Sequence, residues 1–459
     1  MKQSSVVCIW FFFFTLSGCG SSDSDSSDST GFIQIINGIE DSPVLTVEIL
    51  DGDDVVDTIP SLAFQGASTL LTFARGPYEV DFFFEDPDTG FEERFISSEI
   101  DVTRNSIVTA VLTGTFADAQ IIWLDKPEGD ATDTDSEEIE VTAINLSDQS
   151  VAVYLGDDEE GTSVDNLVGT VTASMATDPV EFSYDDDADY HVRVVSEQSS
   201  DLIYDSDRIG VFESTRNTIV VTDNIGPDPT TISAFLVTDS GATGYANSLA
   251  SSAFVIVDSV PDADTVDATV RVAATSEELV STSLMFTGAS QPVVAEANFV
   301  DVVATTSTDP GVSFSTTVSL NQDTAYSFVI AGPSLTEEVS IRANERDLRR
   351  VANGVNVHFV NTLRETDDED SSEVDFYALR LGDSLSDTAP IGTGIEYLSG
   401  FSEIVGATPY DLVVTTGGTQ SILAGPARIF PEGGERLIVV AAEAPGGGPP
   451  FQLDVVVDD

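Results

Sequence analysis

The sequence predicts an all-β chain of tandem immunoglobulin-like antiparallel β-sandwiches. Three observations carry this prediction. Short runs rich in Val, Ile, Thr and Phe alternate apolar with polar residues, and turn sequences such as Asp86-Pro87-Asp88-Thr89-Gly90 separate them. No stretch shows a helical period. Five landmarks recur in one order, with a spacing of roughly 100–115 residues.

The first landmark is an alternating strand ending on a polar residue: Ile33-Gln34-Ile35-Ile36-Asn37, Val141-Thr142-Ala143-Ile144-Asn145, Phe254-Val255-Ile256-Val257-Asp258 and Val357-His358-Phe359-Val360-Asn361. An acidic loop and a second strand follow (Val44 to Leu50, Val151 to Leu155, Val266 to Val272, Val374 to Leu381). The third landmark is an aromatic before Gly and Ser: Phe64-Gln65-Gly66-Ala67-Ser68, Phe286-Thr287-Gly288-Ala289-Ser290 and, more loosely, Tyr397 to Ser402. The second unit lacks it. Tyr78, Tyr190, Phe299 and Tyr410 then begin a fourth strand. In the penultimate strand Thr103-Arg104-Asn105-Ser106-Ile107-Val108 matches Thr215-Arg216-Asn217-Thr218-Ile219-Val220, and Asp323 to Val329 and Glu435 to Val440 take that place later. The units run over 31–135, 136–245, 246–348 and 349–459. The Gly, Ala and Ser-rich stretch 239–252 reads as a linker or an inserted edge element. A propeller would need blades of ~40–50 residues and a β-helix a much shorter repeat. Laid end to end, four sandwiches would extend on the order of 120–160 Å.

The 459 residues carry a net charge of -63, from 80 acidic and 17 basic side chains. Without a basic patch the chain is unsuited to nucleic acid, which binds through clustered Lys and Arg. With 41% hydrophobic residues it can still build cores, so the acidic surface reads as solvation in a salty medium. Cys8 and Cys19 are the two cysteines. Cys8 falls in the leader, so the mature modules are held by packing alone.

Met1-Lys2 followed by the apolar run Val6 to Leu16 reads as a secretory signal over residues 1–18, too short to span a membrane. Leu16-Ser17-Gly18-Cys19 resembles the bacterial lipobox. That resemblance implies cleavage before Cys19, acylation of Cys19 and attachment to the membrane through the lipid. Residues 19–30 form a polar Ser/Asp tether. Gly20 stands where an aspartate marks inner-membrane retention in such lipoproteins, which implies delivery to the outer membrane of a Gram-negative bacterium.

The repeated landmarks resemble the bacterial extracytoplasmic family called domain of unknown function 4397. Val257-Asp258-Ser259-Val260-Pro261-Asp262 is similar to its opening strand, with Asp258 in place of the usual Asn, and Asp323 to Val329 resembles its later strand. The resemblance implies secreted or envelope-attached β-sandwiches and carries over no catalytic residue.

Candidate sites are few. His191 and His358 fall on strands of different units, and no Gly-x-Ser-x-Gly, HExxH, CxxC or phosphate loop is present. Trp123 is the one tryptophan of the mature chain able to stack on a sugar. Calcium is the cation that clustered loop aspartates would suit. Its candidates are Asp51, Asp53 and Asp54, then Asp133 and Asp135 at a module junction, with Asp157 to Glu160, Asp185 to Asp187 and Asp367 to Asp370 as further acidic loops. Of Phe82, Phe83 and Phe84, one or two belong to the core by alternation and the remaining one to an edge or contact surface, with Phe91 and Phe95 as cross-strand partners. These readings favour a non-enzymatic envelope or surface protein that spaces, binds or adheres, with a protein or glycan surface partner. The alternatives are a periplasm-facing subunit of an envelope complex and a carbohydrate-active enzyme, for which the 363–373 loop of the fourth unit is the place to look.

Overall fold

The computed structural model describes residues 30–458 except 88, 127–137, 158–160, 207, 214, 229–230, 262, 264, 297, 307–312, 333–338, 365–372 and 446–448. Cys19, the signal, the tether up to residue 29, Asp133, Asp135, Asp158 to Glu160 and residues 365–372 of the fourth unit's loop, with Asp367 to Asp370, lie outside the described residues.

In the first unit, strand Thr30–Asn37 is followed by hairpin Leu45–Asp51/Asp54–Leu62, and short strands Gly66–Ala67 and Leu71–Ala74 follow that. Hairpins Gly76–Glu85/Glu92–Val102 and Ile107–Thr115/Asp118–Lys126 complete it. One sheet holds the first strand, the short strands and the last hairpin; the other holds the remaining two hairpins. The units covering 138–245, 252–346 and 354–457 repeat this connectivity. Within each sandwich, inward apolar positions of the two sheets form one core, for example Ile33, Ile35, Val47, Val80, Phe82 and Ala110 in the first.

One pairing per unit departs from the expected antiparallel sheets. The opening strand runs parallel to the penultimate one, with Ile36 opposite Val111, Ile144 opposite Val220, Val257 opposite Val329 and Val360 opposite Val440. Hairpins force antiparallel neighbours, but these two strands are joined only through the other sheet, so no turn fixes their relative direction. The 239–252 stretch supplies an edge element: Gly241–Tyr245 pairs with Ile232–Thr238.

The landmarks have local physical causes. Asn37, Asn145 and Asn361 are fully buried. Each accepts an N–H two residues on through Oδ1, from Ile39, Ser147 and Leu363. Each donates through Nδ2 to a carbonyl at the end of the third strand, of Leu62, Val171 and Ile395. These bonds lock the first strand to the opposite sheet. The third landmark is a turn with a left-handed residue, Gln65, Thr287 or Leu398. A hydroxyl three residues on then caps the first strand: Ser68 accepts from Ile35 N–H and Ser290 from Ile256 N–H. The second unit makes the same turn at Ser174, with Thr177 accepting from Ala143 N–H. Its lost sequence signature therefore hid a kept conformation.

The units do not lie end to end. The outward faces of the parallel strand pairs carry an apolar row beside more polar positions, and through that row each sandwich buries a second face. Ile36 and Val111 of the first unit pack on Ile144, Val220, Phe235 and Val237 of the second. In the other pair Val255 and Val257 pack on Ile438, Val440 and Ala442, and Val329 and Ala331 on Val360 and Leu398. Equivalent positions thus meet face to face in both pairs, a pseudo-two-fold arrangement. The pairs also touch each other. Asp323 accepts from Asn224 Nδ2 at 3.1 Å and from Asn247 N–H at 3.4 Å. On the other side Ala352 N–H donates to the Asp41 carbonyl at 2.9 Å, and Arg380 pairs with Glu85 at 2.7 Å. The fourth sandwich therefore returns to the first. The expected extended array is replaced by a closed cluster, because apolar outward faces are driven together rather than left in water.

Candidate functional site

The two face-to-face pairs differ in how well they fill. On the opening and penultimate strands, the outward residues one step before the apolar contact row are Gln34, Thr109, Thr142 and Thr218 in the first pair. By register their counterparts in the second pair are Val255, Ser327, His358 and Ile438. In the second pair these side chains reach across. Val255 and Ile438 share one apolar cluster, and Ser327 Oγ meets His358 Nε2 at 2.7 Å. In the first pair, threonines stand where histidine and isoleucine stand in the second. They are shorter, and a cleft of about 640 Å³ opens between the sheets.

The rims tell the same story. The last strand of the third unit is sewn to the fourth: Asn344 Nδ2 donates to the Leu398 carbonyl and Asn344 Oδ1 accepts from Gly400 N–H, each at 3.0 Å. Val456 closes the opposite rim against Phe286 and Ala289. In the first pair one rim is closed, where Gln34 Nε2 donates to Thr238 O at 2.7 Å and Leu70 N–H to Asp239 O at 2.8 Å. The remaining rim, between 122–126 and 174–179, borders the cleft. Leu124 stands there in the place of Asn344. At this fourth rim the described contacts are the apolar packing of Ile122, Leu124 and Ala176 and the Lys126–Glu140 pair, beside which the cleft lies.

Charge at the two ends follows the same comparison. Arg346 and Asp458, each only 4% exposed in the side chain, form a buried pair beside Arg436. Desolvation pulls Arg346 below its ordinary value against the field of Asp458. At the mouth of the cleft Lys126 pairs with Glu140, and Arg216 lies 4.0 Å from the same carboxylate. With Asp125, Asp178 and Asp239 also in the lining, the cleft combines hydroxyl and amide groups with a charge that is negative on balance.

His358 is held down to about 3, first by burial and then by the Arg346 charge. It is a neutral ring bridging Ser327 and Ser402 at 2.7 and 3.1 Å. The ring is buried inside the interface between the third and fourth units, where no substrate reaches it. His191 Nδ1 lies 2.7 Å from the Ser206 carbonyl, which fixes its tautomer in a sheet. Trp123 packs against the first core and is also among the residues lining the cleft.

Asp51 and Asp54 flank the hairpin turn Gly52-Asp53, and all three carboxylates are exposed. Among the described residues, the group whose ligand atoms lie within 4.8 Å of one another is Asp185, Asp186 and Asp187, all exposed. Phe82 is core and Phe84 packs edge-on against Phe116. Phe95 stacks on the same ring, so its link to the cluster runs through Phe116. Phe91 is 76% exposed and makes no cross-strand pair, because it sits on the hairpin turn. Sequence reasoning missed the cleft. Its one signal was the polar outward residue of the opening strands, Gln34 and Thr142 against Val255 and His358.

No curated protein matches the sequence. Among solved structures the chain is similar to the Bacillus anthracis TIE protein, at 9% identity and a TM-score of 0.17 over 93% of this chain and 76% of that one. It is similar to a fimbrial assembly protein from Parabacteroides distasonis ATCC 8503, at 10% identity and a TM-score of 0.19 over 45% and 98% of the two chains. A streptococcal ancillary pilin matches at 10% identity and a TM-score of 0.13, over 64% of this chain and 96% of its own. Over residues 31–156, the first sandwich and the opening strands of the second, the chain matches the family model described as Domain of unknown function (DUF4397).

Proposed function

We propose that the chain is a non-enzymatic, lipid-anchored envelope protein of a Gram-negative bacterium. Acylated Cys19 and the tether would hold a compact head of four sandwiches near the outer membrane, and the head would bind a partner through the cleft between its first two units. The observation that carries the anchor is the apolar leader ending in Leu16-Ser17-Gly18-Cys19. An acyl chain contributes about 0.8 kcal/mol per buried methylene, so two or more chains make attachment stable. The non-enzymatic part is supported by both histidines being committed to structural hydrogen bonds.

Labelled fatty acid fed to cells tests the anchor. It is expected to enter the wild-type chain and not Cys19→Ala, which should leave the membrane fraction; equal labelling of both would refute the lipid anchor. Protease shaving of intact cells tests the side. Cleavage without permeabilisation supports a surface role, and protection until the outer membrane is opened supports a periplasm-facing subunit.

A further inference from the structure

We propose that the cleft between the first and second sandwiches is a binding slot for a short, uncharged saccharide. This deepens the binding role just proposed for the head and is independent of the lipid anchor. The second pair shows what the same interface looks like when the chain fills it with its own side chains: Val255 on Ile438, Ser327 on His358, and Asn344 on the Leu398–Gly400 backbone. In the first pair Thr109, Thr142 and Leu124 stand in the places of Ser327, His358 and Asn344, while Gln34, in the place of Val255, turns to Thr238 O at one rim, and the space left is within the size range of ligand sites.

The lining selects the ligand class. Gln34 and Thr109 on one wall face Thr142 and Thr218 on the other, and hydroxyls both donate and accept hydrogen bonds. Such walls match a ligand that itself bears many hydroxyls. Ile122 and Leu124 add an apolar strip suited to the C–H face of a sugar ring. The slot walls are faces of sheets whose backbones are already laddered, so an added peptide strand would find few backbone partners there. The lining sets Asp125, Glu140, Asp178 and Asp239 against Lys126 and Arg216, so its charge is negative on balance and disfavours an anionic sugar.

The test uses the full acylated chain in a non-glycosidic detergent. It is probed with an array of neutral di- to tetrasaccharides and their uronic-acid counterparts, and the tightest binder is then titrated by calorimetry. At least one neutral saccharide is expected to bind. Thr142→Trp, which fills the slot, should weaken it at least tenfold, and the paired isosteric change Thr109→Val with Thr218→Val at least threefold. Ser283→Trp, on an exposed strand of the third sandwich, should leave it unchanged. The Val pair keeps the test decisive if the Trp variant melts early.

Binding that survives both slot variants would overturn this site while leaving a binding head. Preference for the acidic sugars, or no neutral sugar bound, would overturn the saccharide class. Cys19→Ala should release the protein from membranes without changing the titration, so failure of the anchor is read separately.

Discussion

Asp258→Asn is expected to stabilise the third sandwich, by an amount that grows with pH. Asp258 takes the place of the buried asparagine that ends the opening strand in the other three units. Its Oδ1 accepts from Val260 N–H at 3.0 Å, and its Oδ2 has no partner. By register, the carbonyl that receives the asparagine Nδ2 elsewhere is here that of Leu284. Only a protonated carboxyl can donate to it. Burial accordingly pushes Asp258 from 3.8 up to about 8, against the opposing bond from Val260.

The folded state thus holds a proton that the unfolded chain releases above about pH 4, and each pH unit between the two values removes about 1.36 kcal/mol. The contribution of Asp258 is complete below pH 3.8 and is lost as pH rises through about 8. At pH 7 the loss is on the order of 4 kcal/mol. Asparagine keeps the acceptor, supplies a permanent donor and has no proton to lose. Hydrogen exchange read by mass spectrometry, following peptides over 254–258 and 326–330 in both proteins at pH 5, 7 and 9, measures the effect locally. The wild type should lose protection across this range and Asp258→Asn should not. Equal pH slopes in the two proteins would refute the argument, since they would mean that Asp258 is already ionised in the native sheet.

Other predictions follow from the same packing. His358→Gln should flatten the acid limb of stability: the native ring stays neutral to about 3 while the unfolded one protonates near 6.5, so its contribution is full above 6.5 and is lost as pH falls toward 3. Thermal melts between pH 3 and 7 would show this, with a neutral-pH penalty of about 1–3 kcal/mol for the altered bonds to Ser327 and Ser402. Val440→Glu places an unpaired charge in the apolar seam between the third and fourth units and should destabilise it by about 3 kcal/mol or more. The expected readout is early proteolysis and raised exchange on both facing sheets. Small-angle scattering should give a radius of gyration of roughly 22–26 Å for the closed cluster, against about 40 Å for a linear array. Arg380→Ala at the first–fourth contact should change the melting temperature little, because both partners are partly exposed.

The sequence by itself determined the fold class, the repeat and most landmark roles, because alternation and turn chemistry are local and each sandwich obeys them on its own. Asn37, Asn145 and Asn361 could be aligned by eye, since a buried amide at a strand end satisfies bonds within a few residues and one neighbouring strand. The parallel pairing, the face-to-face pairs and the cleft were decided only in three dimensions. Ile36 and Val360 read as strand residues whichever partner covers them, and alternation cannot say that an outward face meets its own repeat. The cleft is the difference between two such meetings. It depends on whether Thr142 or His358 stands opposite a neighbour more than thirty residues away, a comparison of volumes across an interface that no local pattern encodes.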